Sequence, residues 1–283
     1  MTRATILIPA HNESAVIDRT LLHLSRGLSL DEFRIIVIAN ACSDATAGKA
    51  RSAMPQATII ETEKAGKCHA LNLGYEVADK SSPIICLDAD LDVTAESLLA
   101  LIAPLESAEA FASCGRMNVV TTGASALVRA YYTGWRTNPY FDSGKFGGLF
   151  ALSADGAARV FPLPEITGDD EYIRRSFSDG ERAFVKSCHF AARAPRSIAS
   201  LIRVRRRSLR GARELTRNGL SSPERSSMAI VLGRLLRRPT TVVPVTVYLA
   251  VNLWARLPFG RRSEGGAVTW ERDLTTRTAC ASE

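Results

Sequence analysis

Apolar residues in the first ninety positions alternate between two rhythms. Ala4-Thr5-Ile6-Leu7-Ile8-Pro9-Ala10 is almost wholly apolar, as expected of a strand covered on both faces. Val16, Ile17, Leu21 and Leu24 then recur at helical spacing and predict an amphipathic helix. The alternation repeats: a strand over Phe33–Ile38, a helix from Ala45 to Met54, a short strand Ala57–Ile60, a helix Cys68–Val77, and a strand Ile84–Leu87 bounded by Pro83. Strands alternating with helices predict a mostly parallel sheet with right-handed crossovers. Beyond it the pattern predicts a strand at Phe111–Val120 and a helix at Ser125–Trp135, in which Tyr131, Tyr132 and Trp135 read as core. A Gly147-Gly148 turn precedes Leu149–Ser153, and a helix is expected over Glu171–Phe177.

Each of the first four strands runs into polar residues. His11-Asn12-Glu13 follows the first, Asn40-Ala41-Cys42-Ser43-Asp44 the second, Glu61 to Lys67 the third, and Asp88-Ala89-Asp90 the fourth. Ligands of open α/β sheets bind outside the carboxyl ends of strands, and four polar strand ends fit a nucleotide crevice better than packing alone. Asp88 and Asp90, two apart on an extended chain, point the same way. Two hard oxygen donors suit Mg2+ or Mn2+, which keep waters and take phosphate oxygens as further ligands. The plainer alternative is a pair of solvated turn residues ahead of a helix Ala95–Leu101 capped by Thr94. A second acidic constellation, Thr167-Gly168-Asp169-Asp170-Glu171, precedes Tyr172-Ile173. Its acids suit either a general base or a helix N-cap. No Gly-x-Gly-x-x-Gly follows the first strand and no Gly-Lys-Ser/Thr loop occurs, which disfavours a dinucleotide fold and a P-loop.

With 283 residues, 46% hydrophobic and 23% charged, the chain can bury a substantial core, and global disorder is not indicated. Six scattered cysteines without a Cys-x-x-Cys pair read as reduced thiols of a cytoplasmic protein rather than a disulfide frame or zinc site. The amino terminus enters a strand at once and lacks the features of a signal peptide. The net charge of +7 is unevenly placed: residues 183–238 carry fourteen Lys or Arg against Glu214 and Glu224 alone. Such a block suggests a polyanionic partner. Aromatics interleaved for base stacking are missing from it, so no nucleic-acid partner is expected. Thr240–Ala255 is the longest apolar stretch, between Arg237, Arg238 and Arg256. It falls short of the ~20 residues of a full span and contains Pro244 and Asn252, while Tyr248 and Trp254 suit interfacial anchoring. A membrane-seated arm and a buried terminal helix both fit it. The polar tail after Gly260 is expected to fray.

Ile8-Pro9-Ala10-His11-Asn12-Glu13, Asn40-Ala41-Cys42-Ser43-Asp44-Ala45-Thr46, Lys64-Ala65-Gly66-Lys67 with Ala70-Leu71-Asn72, and Asp88-Ala89-Asp90 resemble, in order, the motifs of family 2 glycosyltransferases. The resemblance spans about residues 4–180. It implies a GT-A fold, an α/β, Rossmann-like, mostly parallel sheet flanked by helices, in residues 1–195. Residues 1–120 would be the donor half and 121–195 the acceptor half, followed by a basic and apolar helical extension over 196–283. It implies inverting, metal-dependent transfer from a nucleotide-sugar donor to an acceptor hydroxyl on a glycan, lipid or small molecule. Pro9, His11, Asn12, Glu13, Asn40, Asp44, Lys67, Asp88 and Arg206 would contact the donor, Asp88 and Asp90 the Mg2+ or Mn2+, and Asp170 would be the catalytic base, with Asp169 in place of the family's glutamate.

Two departures matter. Ala39 and Asn40 stand where relatives often carry paired acids, the first of them contacting the base. The arginine run Arg203 to Arg210 replaces the Gln-x-x-Arg-Trp motif of processive relatives, which points to single additions. An anionic membrane surface at the cytoplasmic side is the expected further partner. The rival readings are a sugar nucleotidyltransferase and a non-catalytic basic nucleic-acid-binding module. The first would carry a Gly-rich, Arg- or Lys-bearing loop where Pro9 to Glu13 stand.

Overall fold

A computed structural model describes residues 2–137, 144, 146–220 and 242–257. Arg237 and Arg238, the first two residues of the apolar stretch, Cys280 and the tail after Gly260 lie outside them. The strands are β1 (Ala4–Ala10), β2 (Phe33–Asn40), β3 (Thr58–Thr62), β4 (Ile84–Leu87), β5 (Asp92–Val93), β6 (Ala112–Val120), β7 (Leu149–Leu152) and β8 (Arg182–Arg193). The helices are α1 (Ile17–Ser25), α2 (Thr46–Ala53), α3 (Lys67–Glu76), α4 (Ala95–Glu106), α5 (Ala126–Trp135), α6 (Ala154–Val160), α7 (Asp169–Ser176), α8 (Ile198–Arg217) and, after the undescribed segment, α9 (Val242–Arg256).

The strands form one eight-stranded sheet in the order β3-β2-β1-β4-β7-β6-β8-β5. Pairings β1–β2, β2–β3 and β1–β4 are parallel, so their carboxyl ends share an edge. The strands on both faces are covered. Ile6, Ile8, Ile85 and Leu87 belong to one buried cluster with Leu21 and Leu24 of α1, while Leu7, Ile36, Ile38, Ile84 and Cys86 belong to another with Leu71 of α3. Neighbouring residues of a strand point to opposite faces, and with both faces dry the result is an unbroken apolar run. Thr94 caps α4 as expected, its side chain accepting from the Ser97 amide at 3.3 Å.

The other half of the sheet departs from the parallel expectation. β7 pairs antiparallel with both β4 and β6, and β8 antiparallel with β5. β8 also occupies the start of the basic block, with Cys188 and Phe190 buried between exposed polar neighbours. α4 runs past Leu101 to Glu106, and α7 begins at Asp169 rather than Glu171. Both expected site acids therefore lie inside the first turn of α7.

The described residues form two compact units, 2–118 with 144 and 146–192, and 119–137 with 193–220 and 242–257. In the second unit α5, α8 and α9 pack together. A Cβ at Gly134 would stand 2.3 Å from the Pro244 carbonyl oxygen, so glycine permits the close approach of α5 and α9. Arg205 donates to Asn252 Oδ1 at 3.1 and 2.9 Å, joining α8 to α9. Among the described residues no helix is long and apolar enough to cross a membrane.

Candidate active site

The site is built where β4 ends. The Asp88 amide donates to the Gly148 carbonyl at 2.7 Å. Gly148 sits at φ +80°, and a Cβ there would stand 2.7 Å from Asp88 Oδ2, so both conformation and space require glycine. The Thr20 hydroxyl of α1 donates to the Ala89 carbonyl at 2.7 Å, and Arg19 pairs with Asp92 at 3.0 Å. These contacts fix the loop that carries Asp88 and Asp90.

Helix α3 supplies the cation. Its first residue, Lys67, places its ammonium 2.7 Å from Asp88 Oδ1 and 2.8 Å from Asp169 Oδ2. One lysine thus joins the end of β4 to the start of α7. Below it on α3, the Cys68 thiol donates to the Ile166 carbonyl, and the Asn72 amide exchanges two hydrogen bonds with the Leu163 backbone, at 2.9 and 2.7 Å. The segment leading into α7 is therefore pinned to the helix that bears Lys67. Asp169 is buried. Asp170 is half-buried and accepts from the Glu171 amide at 2.8 Å, while Glu171 turns back to Arg174 and Arg175 at 2.7 to 2.9 Å.

The cluster is electrostatically crowded. Burial raises the Asp88 carboxyl above its ordinary value, Asp169 and Asp90 add to that, and Lys67 opposes it. For Lys67, burial works to lower the pKa, but the charges of Asp169, Asp88 and Asp170 outweigh it and hold the ammonium well above its ordinary value. One ammonium therefore serves several carboxylates. Burial pushes the Cys68, Cys114 and Cys188 thiols up to about 12, far from thiolate, so these three do not compete as nucleophiles.

The remaining expected donor residues gather at the ends of β1 and β2. Pro9 lies in β1 beyond its ladder with β4, which ends at Leu7, so the missing proline N–H costs that ladder nothing. His11 Nδ1 lies 2.6 Å from the Asn40 carbonyl. Asn12, at φ +53°, accepts through Oδ1 from the Ser43 amide at 2.6 Å and the Asp44 amide at 3.2 Å. The Glu13 amide donates to Thr46 Oγ1 at 2.7 Å, and Glu13 is buried. Asn40, fully buried, donates to the Lys64 carbonyl and accepts from the Gly66 amide, tying β2 to the start of α3. Asp44 accepts from the Ser14 and Thr46 amides and the Thr46 hydroxyl. Burial works to raise its pKa, but these hydrogen bonds lower it overall.

Lys67, Asp88 and Asp169 thus touch directly, with Asp90 and Asp170 close enough to act on them. Arg206 lies on α8, in the other unit. Sequence reasoning passed over Thr20, and quoted Asn72 only as part of a motif without seeing that it clamps α7. The Gly147-Gly148 pair, read from sequence as a turn, is also where the backbone comes close to Asp88.

A divalent ion can be tested against these residues. Among the described residues no three His, Cys, Asp or Glu are arranged to hold a metal. Asp88 and Asp90 stand on a turn closed by the Leu91 amide donating to the Asp88 carbonyl at 3.3 Å, not on the extended chain expected; they give two hard oxygen donors in an acid-rich cluster, the set that suits an ion taking its remaining ligands from water and a diphosphate. The residues fit such an ion.

The model of glycosyl transferase family 2 matches residues 5–152. The chain belongs to that family. Its match ends at Leu152, so the acids of α7 rest on the geometry above. Among solved structures, this glycosyltransferase resembles a mannosyltransferase from Pyrobaculum calidifontis in complex with GDP-Man and Mn2+, at 18% identity and a TM-score of 0.58 over 89% of this chain and 74% of that one. It also resembles glucosyl-3-phosphoglycerate synthase from Mycobacterium tuberculosis in complex with Mn2+, UDP-Glc and phosphoglyceric acid, at 18% identity and a TM-score of 0.56 over 78% and 82%. At such identity these likenesses show the GT-A fold. No curated protein matches the chain by sequence.

Proposed function

We propose that this family 2 glycosyltransferase moves a single sugar from a nucleoside diphosphate donor to an acceptor hydroxyl with inversion. The observation that carries the reading is the Lys67 bridge, which gathers the acids of β4 and of α7 around one point. Inverting transfer needs two poles. One is a cationic region that stabilises the departing diphosphate. The other is a carboxylate that takes the proton from the acceptor hydroxyl as its oxygen bonds to the anomeric carbon and the bond to the diphosphate breaks.

Asp88 and Asp90 would hold Mg2+ or Mn2+, which when bound neutralises charge on the leaving diphosphate. Asp170 is the base and Asp169 its neighbour: the Asp169 carboxylate is buried against Lys67, whereas Asp170 is half-exposed at the start of α7. Pro9, His11, Asn12, Glu13, Asn40 and Asp44 shape the nucleoside crevice. GDP-Man and UDP-Glc are the donors in the two similar structures, so both nucleotides belong in the test. Incubation with a panel of UDP- and GDP-sugars and Mn2+ should release nucleoside diphosphate slowly by hydrolysis. Release of pyrophosphate from a nucleoside triphosphate and a sugar phosphate would instead establish the nucleotidyltransferase reading. Absence of both reactions and of donor binding by calorimetry would overturn transferase function.

An anionic membrane surface is the proposed second partner, at the cytoplasmic face. On α8, Arg203, Arg206, Arg207, Arg210, Arg213 and Arg217 recur at helical spacing. On α9, Val243, Leu253 and Trp254 are 69%, 64% and 53% exposed, while Asn252 faces inward to Arg205. Apolar side chains outside and an amide inside suit an interfacial helix, and the arginines suit anionic headgroups at about 1 kcal/mol each near the surface. Co-sedimentation with anionic liposomes should fall with added salt. Equal recovery in the supernatant with and without anionic lipid would count decisively against it.

A further inference from the structure

The geometry points to a second role for Lys67: it is the resident counter-cation of Asp88, holding that carboxylate against a divalent ion until a donor diphosphate arrives. The inference rests on the reading that Asp88 and Asp90 take the metal. Asp88 has two oxygens. Oδ1 is held by the Lys67 ammonium at 2.7 Å, and Oδ2 lies against the Gly148 backbone. An ion bound through Asp88 therefore meets the ammonium at contact range, where like charges repel strongly in a partly dehydrated site.

The ammonium cannot retreat by moving its backbone. The residue before it, Gly66, is tied to Asn40 Oδ1 at 2.9 Å, and Cys68 and Asn72 fix α3 to the segment 163–166. Lys67 can yield only by turning its own side chain, which is 21% exposed. Asp169, 2.8 Å away, is its second anionic contact. A donor diphosphate supplies the missing acceptor. Its oxygens offer Lys67 new anionic partners at the moment they offer the metal further ligands. Metal and donor then bind with positive coupling, and because such coupling is reciprocal, each should tighten the other. Lys67 acts as a positioning residue, and the size of the coupling is its signature.

The test measures free Mn2+ by electron paramagnetic resonance with the full chain at neutral pH, alone and with saturating UDP or GDP. Wild-type protein should bind Mn2+ at least about tenfold more tightly with a nucleotide than without. Lys67→Met should bind Mn2+ alone about tenfold more tightly than wild type, and the nucleotide should add little further. A merely structural lysine would not raise metal affinity when removed. Lys67→Gln serves if the methionine variant does not fold, and Lys67→Arg, which keeps the charge, should behave like wild type. Equal or weaker Mn2+ binding by folded Lys67→Met and Lys67→Gln, with the nucleotide enhancement intact, overturns the inference while leaving the transferase reading in place. Mn2+ binding absent from wild type with UDP and GDP alike overturns the metal assignment, and this inference with it. Donor hydrolysis, measured separately, tells whether the transferase reading falls too.

Discussion

Asp44, past the end of β2, and Asp88, at the end of β4, are carboxylates on the same edge of the same parallel sheet. Two amides and a hydroxyl donate to Asp44 and lower its pKa against burial. Asp88 is raised by burial and by Asp169 and Asp90, and the shared Lys67 opposes them. The difference teaches how to read a polar strand end. Where nearby backbone amides satisfy the acid, it shapes the crevice. Where burial and neighbouring carboxylates raise the acid beside a shared lysine, its pKa is perturbed, and such perturbed groups cluster at functional sites.

The comparison breaks most sharply at the metal. Asp90→Asn should lower metal-dependent donor affinity by more than the ~10–100-fold that loss of an outer-shell partner costs, while thermal melting stays near wild type. Calorimetry with Mn2+ and a nucleotide sugar checks it, and unchanged affinity would sink the assignment. Next in size is the base. Asp170→Asn should lower turnover roughly 10²–10⁴-fold with donor affinity retained, and Asp169→Asn should cost less if it acts only through Lys67. A dead Asp169→Asn beside a nearly active Asp170→Asn, both still binding donor, would reverse the roles.

Much of this contrast was visible in sequence, for a physical reason. Strands β1, β2 and β4 are dry on both faces, so their positions announced themselves as apolar runs, and the polar residues followed where the runs stopped. The antiparallel half was not visible. Periodicity names a strand but not its neighbour, and β8 hides its buried Cys188 and Phe190 among polar residues of the basic block. The tertiary partners of single side chains were equally hidden. Nothing along the chain says that Lys67 spans Asp88 and Asp169, or that both ends of the Asn40 amide are taken by Lys64 and Gly66. On α9 the apolar stretch was plain, but its rotation, with Asn252 inward and Trp254 outward, is set by packing against α5 and α8.

The smallest effect tests the other pole of the comparison. If Asp44 is chiefly a scaffold, Asp44→Ala should cost about 1 kcal/mol of stability, the usual net worth of an intramolecular hydrogen bond. For a chain with a large core this shifts Tm by roughly 2–4 °C. The pH dependence has a definite sign. The folded pKa lies below the ordinary 3.8, so the ionised carboxylate stabilises the fold, the contribution is complete above the unfolded pKa, and it is lost as pH falls through the folded one. The Tm difference between wild type and Asp44→Ala should therefore be constant through neutral pH and shrink below about pH 4. Metal affinity should not change, because the loop of Asp88 has its own supports in Gly148 and Thr20. A variant that melts like wild type at neutral pH, or that loses Mn2+ binding in proportion to its stability, would mean that the two strand ends are not the separate devices their hydrogen bonds describe.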